Sequence, residues 1–543
     1  MSRNVISLTA VVFGVAAMGG SGGIGSAHAQ EILAEWDSKH STGAWDGFGN
    51  DVAVLGDINF DGWIDVLVGS FNYDVSGPAY EDGAAFVVST QDGSFLRQHF
   101  GSARFGRFGF ALDGGPDLDG DGVSDYAVGA PLERGKQAMS GRVHVFSGAT
   151  GAVLYVLDGE RNGDDFGYDL SFVGDLDGDG ASELVVVAEW WDDYSLGLGQ
   201  CGRAYCYSGR TGATLWTVEG VQQDQMLARC CPMEDFNGDG VPEVGLGSIG
   251  SGSGSAGEGT FDVIDGKTGL SLQRIAGQNA LEQFGHCGQT GDIDGDGVRD
   301  LLIGAPNWPA PSTRSGRVYV ISGATLAELH HFDGEAKDEF LGAISLRFGE
   351  FDANGDGWDD IAFGAVNRVR DGCAPGVESL YCGRTFRLLY ELRAQPIHGI
   401  DDLLGVAGTP IADLNGDRTL DAIVTAYGGL GGGGGLAGRV YLVGMKPIFL
   451  QGNQSEYHSG DSITLRLTGG APGVLGLIAV VSVDGVPLFQ PVAFAALDSF
   501  GELIYSDVAD STLSGLTIEV QGFCQKATGR GALFSVPEAI EFR

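Results

Sequence analysis

Positive charge is what this chain has least of. Its 543 residues carry 31 Lys and Arg against 72 Asp and Glu, a formal net charge of -41. Nucleic-acid binding rests on cations at phosphates, so that class of partner is excluded. Anionic membrane surfaces are excluded on the same electrostatic ground. Histidine is scarce too: nine residues, scattered, with no ligand spacing. No H-E-x-x-H, P-loop or dinucleotide fingerprint occurs. The G-x-S-x-G match at 19–23 lies in an N-terminal leader. There Arg3 precedes an apolar run, 5–18, and Ala27-His28-Ala29 follows it. The run is shorter than the ~20 residues that span a bilayer. Residues 1–29 therefore read as a signal peptide and Gln30 as the mature N-terminus. No membrane span is expected in the mature chain.

Cysteines number eight, and export makes disulfides permissible. Cys373 and Cys382 bracket a loop that they would staple. Cys201 and Cys206 sit five apart on one predicted strand, too far for each other. Cys230 and Cys287 hold equivalent positions in neighbouring repeats, and Cys524 stands alone near the C-terminus. The other pairings stay open.

What is abundant is glycine, 93 residues, and a repeat places it. An acidic nonapeptide, D-x-[DN]-x-D-G-x-x-[DE], starts at Asp57, Asp117, Asp175, Asp235, Asp292, Asp352 and Asp413. The steps are 60, 58, 60, 57, 60 and 61 residues, too regular for chance clustering of acids. Upstream of it stands Phe-Gly: Phe48-Gly49, Phe108-Gly109, Phe166-Gly167 and Phe284-Gly285, drifting to Met226-Leu227, Leu341-Gly342 and Leu404-Gly405 in the other repeats. Downstream comes an apolar run ending in Gly, often Gly-Ala-Pro, as at 126–131 and 301–306. A third run of the type Gly-Arg-Val-Tyr-Val follows at 141–146, 316–321 and 438–443. A turn such as 147–151 then leads to a fourth run, 153–157. Short β-branched runs between glycine-rich turns are strand signals. Four strands per unit at a fixed period predict the blades of an all-β, seven-bladed β-propeller over 30–444. Repeat seven lacks a clear fourth strand, and residues 32–36 are expected to supply it, closing an open sheet edge.

Residues 31–444 resemble the FG-GAP repeat family, the propeller of integrin α-subunits and of many secreted bacterial proteins. The resemblance implies calcium in the loop between the first and second strands of each blade. It leaves function open, since members include adhesion receptors, lectins and a few hydrolases or lyases.

The loops themselves support that chemistry. Calcium takes six to eight oxygen ligands, and alternating acids in a tight turn point at one centre. The expected ligands are Asp57, Asn59, Asp61 and Asp65 in loop one, and Asp117, Asp119, Asp121 and Asp125 in loop two. Loop three has Asp175, Asp177, Asp179 and Glu183; loop four Asp235, Asn237, Asp239 and Glu243; loop five Asp292, Asp294, Asp296 and Asp300. Loop six has Asp352, Asn354, Asp356 and Asp360; loop seven Asp413, Asn415, Asp417 and Asp421, with Arg418 where the turn glycine belongs. An EF-hand would need Glu at position 12, but Val68, Val128, Val186, Leu246, Ile303, Phe363 and Val424 stand there. Without metal, three or four carboxylates would repel one another in every loop. Seven calcium ions, structural in role, would bring the formal charge from -41 to -27.

Residues 445–543 lack the nonapeptide and read as strands at 462–467, 477–483, 503–505, 516–520 and 533–536, with a hairpin turn at Asp484-Gly485. A small β-sandwich domain is expected. Two functions compete. One is a secreted binding or cell-adhesion module for extracellular carbohydrate or protein. The other is a secreted hydrolase or polysaccharide lyase, whose carboxylate pair would hide among the many acids and need to bind no calcium, though most acids are already assigned to metal; no catalytic residue is assigned. A ligand is expected on the face opposite the calcium loops. There the loops between second and third strands carry Phe71, Tyr73, Trp190, Trp191, Tyr194 and Trp308, with Trp190, Trp191 and Trp308 as candidate contacts.

Overall fold

The computed structural model describes residues 30–37, 46–75, 81–250, 258–279, 282–309, 314–335, 337–343, 351–352, 358–365, 376–393, 404–411, 421–426 and 439–445, and the strands between 449 and 542. The leader 1–29 and Cys373 lie outside them. Every regular element among the described residues is a strand. The chain is an all-β propeller.

Each repeat forms an antiparallel meander. In repeat one Phe48–Gly56, Asp65–Ser70, Ala84–Ser89 and Phe95–Phe100 lie side by side in that order. Repeats two to five do the same. Repeat six contributes three strands, Ile361–Ala365, Val377–Tyr381 and Leu388–Arg393; its expected first strand falls outside the described residues. Six complete four-stranded blades are thus seen among the described residues, rather than the seven expected.

The sixth complete sheet closes the ring with both ends of the propeller chain. Leu404–Ile411, Asp421–Ala426 and Arg439–Met445 are joined by Gln30–Asp37, which pairs antiparallel with the last of them, Trp36 opposite Val440 and Ile32 opposite Val443. A strand from the start of the chain therefore completes a sheet made near residue 440.

Burial follows position in the blade. The second strands, such as Leu184–Ala188 and Leu301–Ala305, are buried at every residue. Both of their faces meet neighbouring blades, which is why they read as unbroken apolar runs. The outermost strand Ser271–Ala276 is almost wholly exposed. Cores form between repeats: Leu55, Leu67 and Val87 of repeat one pack with Tyr126, Val128 and Phe146 of repeat two.

The Phe-Gly and Gly-Ala-Pro elements meet at these junctions. A β-carbon on Gly69 would lie 2.3 Å from the Gly109 carbonyl oxygen, and one on Gly129 2.4 Å from that of Gly167. Repeat four meets repeat five the same way through Gly247 and Gly285. Backbone packs on backbone where blades are closest, so no side chain is tolerated there.

Polar bonds hold the blades at both radii. Inside, the Asp51, Asp113 and Asp169 carboxylates accept the amides of Leu112, Phe172 and Cys230 in the next repeat, at 2.8, 2.8 and 3.0 Å. Outside, Arg97, the Tyr155 hydroxyl and the Trp216 indole donate to the carbonyls of Ala149, Gly209 and Gly266 in the next repeat's turn, at 2.8, 2.6 and 2.7 Å.

Beyond the propeller strands lie two further sheets. One has three strands, Phe449–Gly452, Ser462–Thr468 and Leu503–Val508; the other is built around Thr517–Gln525 and Leu475–Val483.

Candidate metal centre

In repeats one to five the acidic nonapeptides connect first strands to second strands, all at one edge of their sheets. Their backbone is shaped by glycine. Positions 4 and 6 of loop two, Gly120 and Gly122, have φ of 82° and 87°, and loops three to five repeat this. Those values favour glycine because a β-carbon would clash. Loop one has Phe60 at position 4, held at φ 61° and exposed.

The turn lets amides fix each carboxylate. Asp117 accepts the Gly120 and Gly122 amides at 2.7 and 2.9 Å, and Asp292 those of Gly295 and Gly297 at 2.7 and 2.9 Å. Position 3 accepts the amide of position 5, as Asp119 does from Asp121 at 3.1 Å. Position 5 accepts that of position 7, as Asp179 does from Ala181 at 2.8 Å. The closing acid at position 9 accepts the amide of position 2, as Asp65 does from Ile58 at 3.0 Å and Glu183 from Leu176. These bonds fix where the carboxylate oxygens lie.

Those oxygens converge. In loop three one oxygen each from Asp175, Asp177, Asp179 and Glu183 lies within 4.8 Å of every other. The same holds for Asp117, Asp119 and Asp125, for Asp235, Asp239 and Glu243, and for Asp292, Asp294 and Asp300. Asp121 and Asp296 stand outside these sets. Asn237 donates its amide to Glu243 at 2.5 Å. In loop one Asp61 accepts from Asn59 at 2.9 Å and from Ser89 at 3.2 Å. Of loop six, Asp352 and Asp360 are described, and Asn354 and Asp356 are not; of loop seven, only Asp421 is.

The closing acids have an unusual setting. Asp65, Asp125, Glu183, Glu243, Asp300, Asp360 and Asp421 are all fully buried. Burial, then neighbouring loop acids, push Asp65 and Glu183 up to about 7, and Asp300 to about 6. Among the described residues, the second oxygens of Asp65 and Glu183 have no hydrogen-bond partner. A buried, partnerless carboxylate oxygen facing other carboxylates is costly unless a cation sits among them. An all-oxygen donor set suits a hard divalent ion. The residues present therefore fit a metal.

One contributor escaped the sequence reading. The second oxygen of Asp125, Asp300 and Asp360 accepts the amide of Gly148, Gly323 and Gly383, at 2.9, 2.9 and 3.1 Å. These glycines belong to the turn between third and fourth strands, which docks on the acidic loop. A β-carbon on Gly148 would lie 1.8 Å from the Ser124 carbonyl oxygen. The signal was the glycine that recurs in that turn, after Ser147, Ser322 and Cys382.

The FG-GAP repeat signature matches residues 108–146 and 284–321. Each match runs from the Phe-Gly element through an acidic loop into a third strand. The chain carries FG-GAP repeats, and its propeller is integrin-α-like. Chicken (Gallus gallus) integrin alpha-6 is 35% identical over 150 residues, 26% of this chain and 13% of that protein. Drosophila melanogaster integrin alpha-PS2 is 28% identical over 265 residues, 45% of this chain and 18% of that protein. Xenopus laevis integrin alpha-5 is 34% identical over 155 residues, 26% and 14%. The matched segments span less than a fifth of each of these relatives.

The opposite edge of this FG-GAP propeller holds the aromatic loops. Trp190 is 44% exposed and Tyr194 73%. Trp191 and Trp308, expected as ligand contacts, are not open to one: they are 2% and 8% exposed. The arginine that begins the third strand covers each ring, Arg203 lying 4.9 Å from Trp191 and Arg317 3.7 Å from Trp308. Arg161 covers Trp191 as well, at 4.8 Å. These tryptophans pack the blade ends. Phe71 is buried as well, and Tyr73 is half-buried against Phe86 and Phe100.

Proposed function

We propose that this chain is an exported propeller of seven blades, spanning 30–444, that holds calcium in its acidic loops and serves as an extracellular binding module for a carbohydrate or a protein. Residues 1–29 are its leader, and 445–543 form a β-sandwich behind it. The observation that carries this reading is the division of chemistry between the two edges of the sheets. Convergent carboxylates occupy one edge, and exposed Trp190 and Tyr194 stand on the loop at the other. The integrin α relatives support a protein partner and a cell-surface or extracellular setting.

Calcium is placed on the loop residues named above, up to seven ions. Loops two to five are the best supported. Loop one needs Asp61 to swing back, and Asn354, Asp356, Asp413, Asn415 and Asp417 complete loops six and seven. The ion's role is structural: it neutralises the buried closing acid and fixes the turn, while the ligand meets the opposite face.

The test uses residues 30–543 on a glycan array and on an array of extracellular proteins, with calcium and with chelator. Retention of one carbohydrate or protein class, weakened in Trp190→Ala, is expected. Release of shortened or unsaturated sugars would make the chain a hydrolase or lyase instead.

A further inference from the structure

Cys231 and Cys287 lie on the innermost strands of repeats four and five, Leu227–Pro232 and His286–Gln289. Both are buried, and both belong to the apolar core between these two blades, with Phe261, Leu301 and Tyr319. The Cys287 thiol interacts with the Cys231 side chain across the junction of the two blades. Strand alternation sends the adjacent Cys230 the other way, where its sulfur lies 3.8 Å from Asp169 of repeat three. Space for the Cys231 sulfur comes from Gly245, its partner in register: a β-carbon there would lie 2.7 Å from the sulfur.

We propose that Cys231 and Cys287 are joined by a disulfide that locks blade four to blade five at the inner ring. Two side chains packed in one core on adjacent innermost strands need only a small approach, and the flanking strands are held by their own ladders. In the reaction both thiols lose a proton and together give up two electrons. The electrons reduce an external disulfide, such as oxidised glutathione, to two thiols, and a sulfur–sulfur bond forms between the blades. The attacking species is a thiolate, and burial pushes the Cys287 thiol well up. The bond therefore forms while the two blades are still closing, and afterwards it is shielded. It would bridge about one repeat of chain, a loop long enough for strong restriction of the unfolded state.

In cells the cross-link rests on the export proposed above, because a cytosol keeps such thiols reduced. Refolding in a defined redox buffer does not rest on it, so the two readings fail separately. The experiment refolds residues 30–543 in oxidised and reduced glutathione, alkylates the product under denaturing, non-reducing conditions and maps its peptides. The expected result is one linked pair containing residues 231 and 287, released by reductant. The link should persist in Cys230→Ser and vanish in Cys231→Ser. Alkyl label on both Cys231 and Cys287 in the cooperatively melting parent protein would overturn the proposal. So would a link from Cys230 to Cys287.

Discussion

The Asp51 carboxylate in repeat one accepts the Leu112 amide of repeat two at 2.8 Å, across 61 residues of sequence. The two sheets are separate ladders, so a side chain provides this bond between them. Both groups are buried. Asp51→Ala would leave a buried amide without this acceptor, at a cost of about 1–3 kcal/mol. Urea unfolding should show a lower midpoint with an unchanged slope. A midpoint equal to the parent's would mean that water or a neighbour replaces the carboxylate.

The glycine junctions predict a larger effect. Gly129 has no unusual φ, so its need for glycine comes from packing alone. A methyl group at 2.4 Å from the Gly167 oxygen must push blades two and three apart. Overpacking of this kind costs about 1–3 kcal/mol or more. Gly129→Ala should lower Tm by several degrees in calorimetry.

Much of this was legible in the sequence because the repeat recurs. The nonapeptide, Phe-Gly and Gly-Ala-Pro elements located the strands, the loops and the closure by residues 32–36. What the sequence did not reveal depends on proximity between repeats. Nothing local says that Gly148 docks on Asp125, or that Arg317 lies over Trp308 and removes it from the surface. The same holds for Asp61, whose turn toward Ser89 is set by a strand 28 residues away.

Metal removal offers the sharpest stability test. An ion that binds only the folded loop adds about 2.7 kcal/mol at 100 times its dissociation constant. Tm should fall sharply in chelator and recover with calcium. Glu183→Gln should reduce the number of calcium ions bound, measured by atomic emission on dialysed protein. An unchanged Tm after verified metal removal would sink the structural role.

The N-terminal strand predicts an asymmetry between trimming and cutting. Residues 31–36 pair with Tyr441 and its neighbours in the closing sheet. Deleting them exposes that edge and should lower Tm far more than deletion of residues 1–29 from the unprocessed chain. Equal melting of the two truncations would show that the clasp contributes nothing.

Glu378 gives the pH dependence. It sits on the third strand of repeat six, buried, opposite Gly364 and Leu392. The equivalent positions hold Val143 and Val318, both core residues. One of its carboxyl oxygens has no partner among the described residues. Burial raises the group from 4.5 to about 8. The folded protein therefore keeps a proton that the unfolded chain releases. Stability contributed by that proton is full below about 4.5 and is lost as pH rises toward 8. Each unit of difference corresponds to about 1.4 kcal/mol, so the loss across this window is substantial. Glu378→Gln cannot ionise. Its Tm should exceed the parent's at pH 8 by several degrees, and the gap should shrink toward pH 5. Parallel Tm curves for the two proteins from pH 5 to 8 would show that Glu378 reaches solvent or a cation when it ionises.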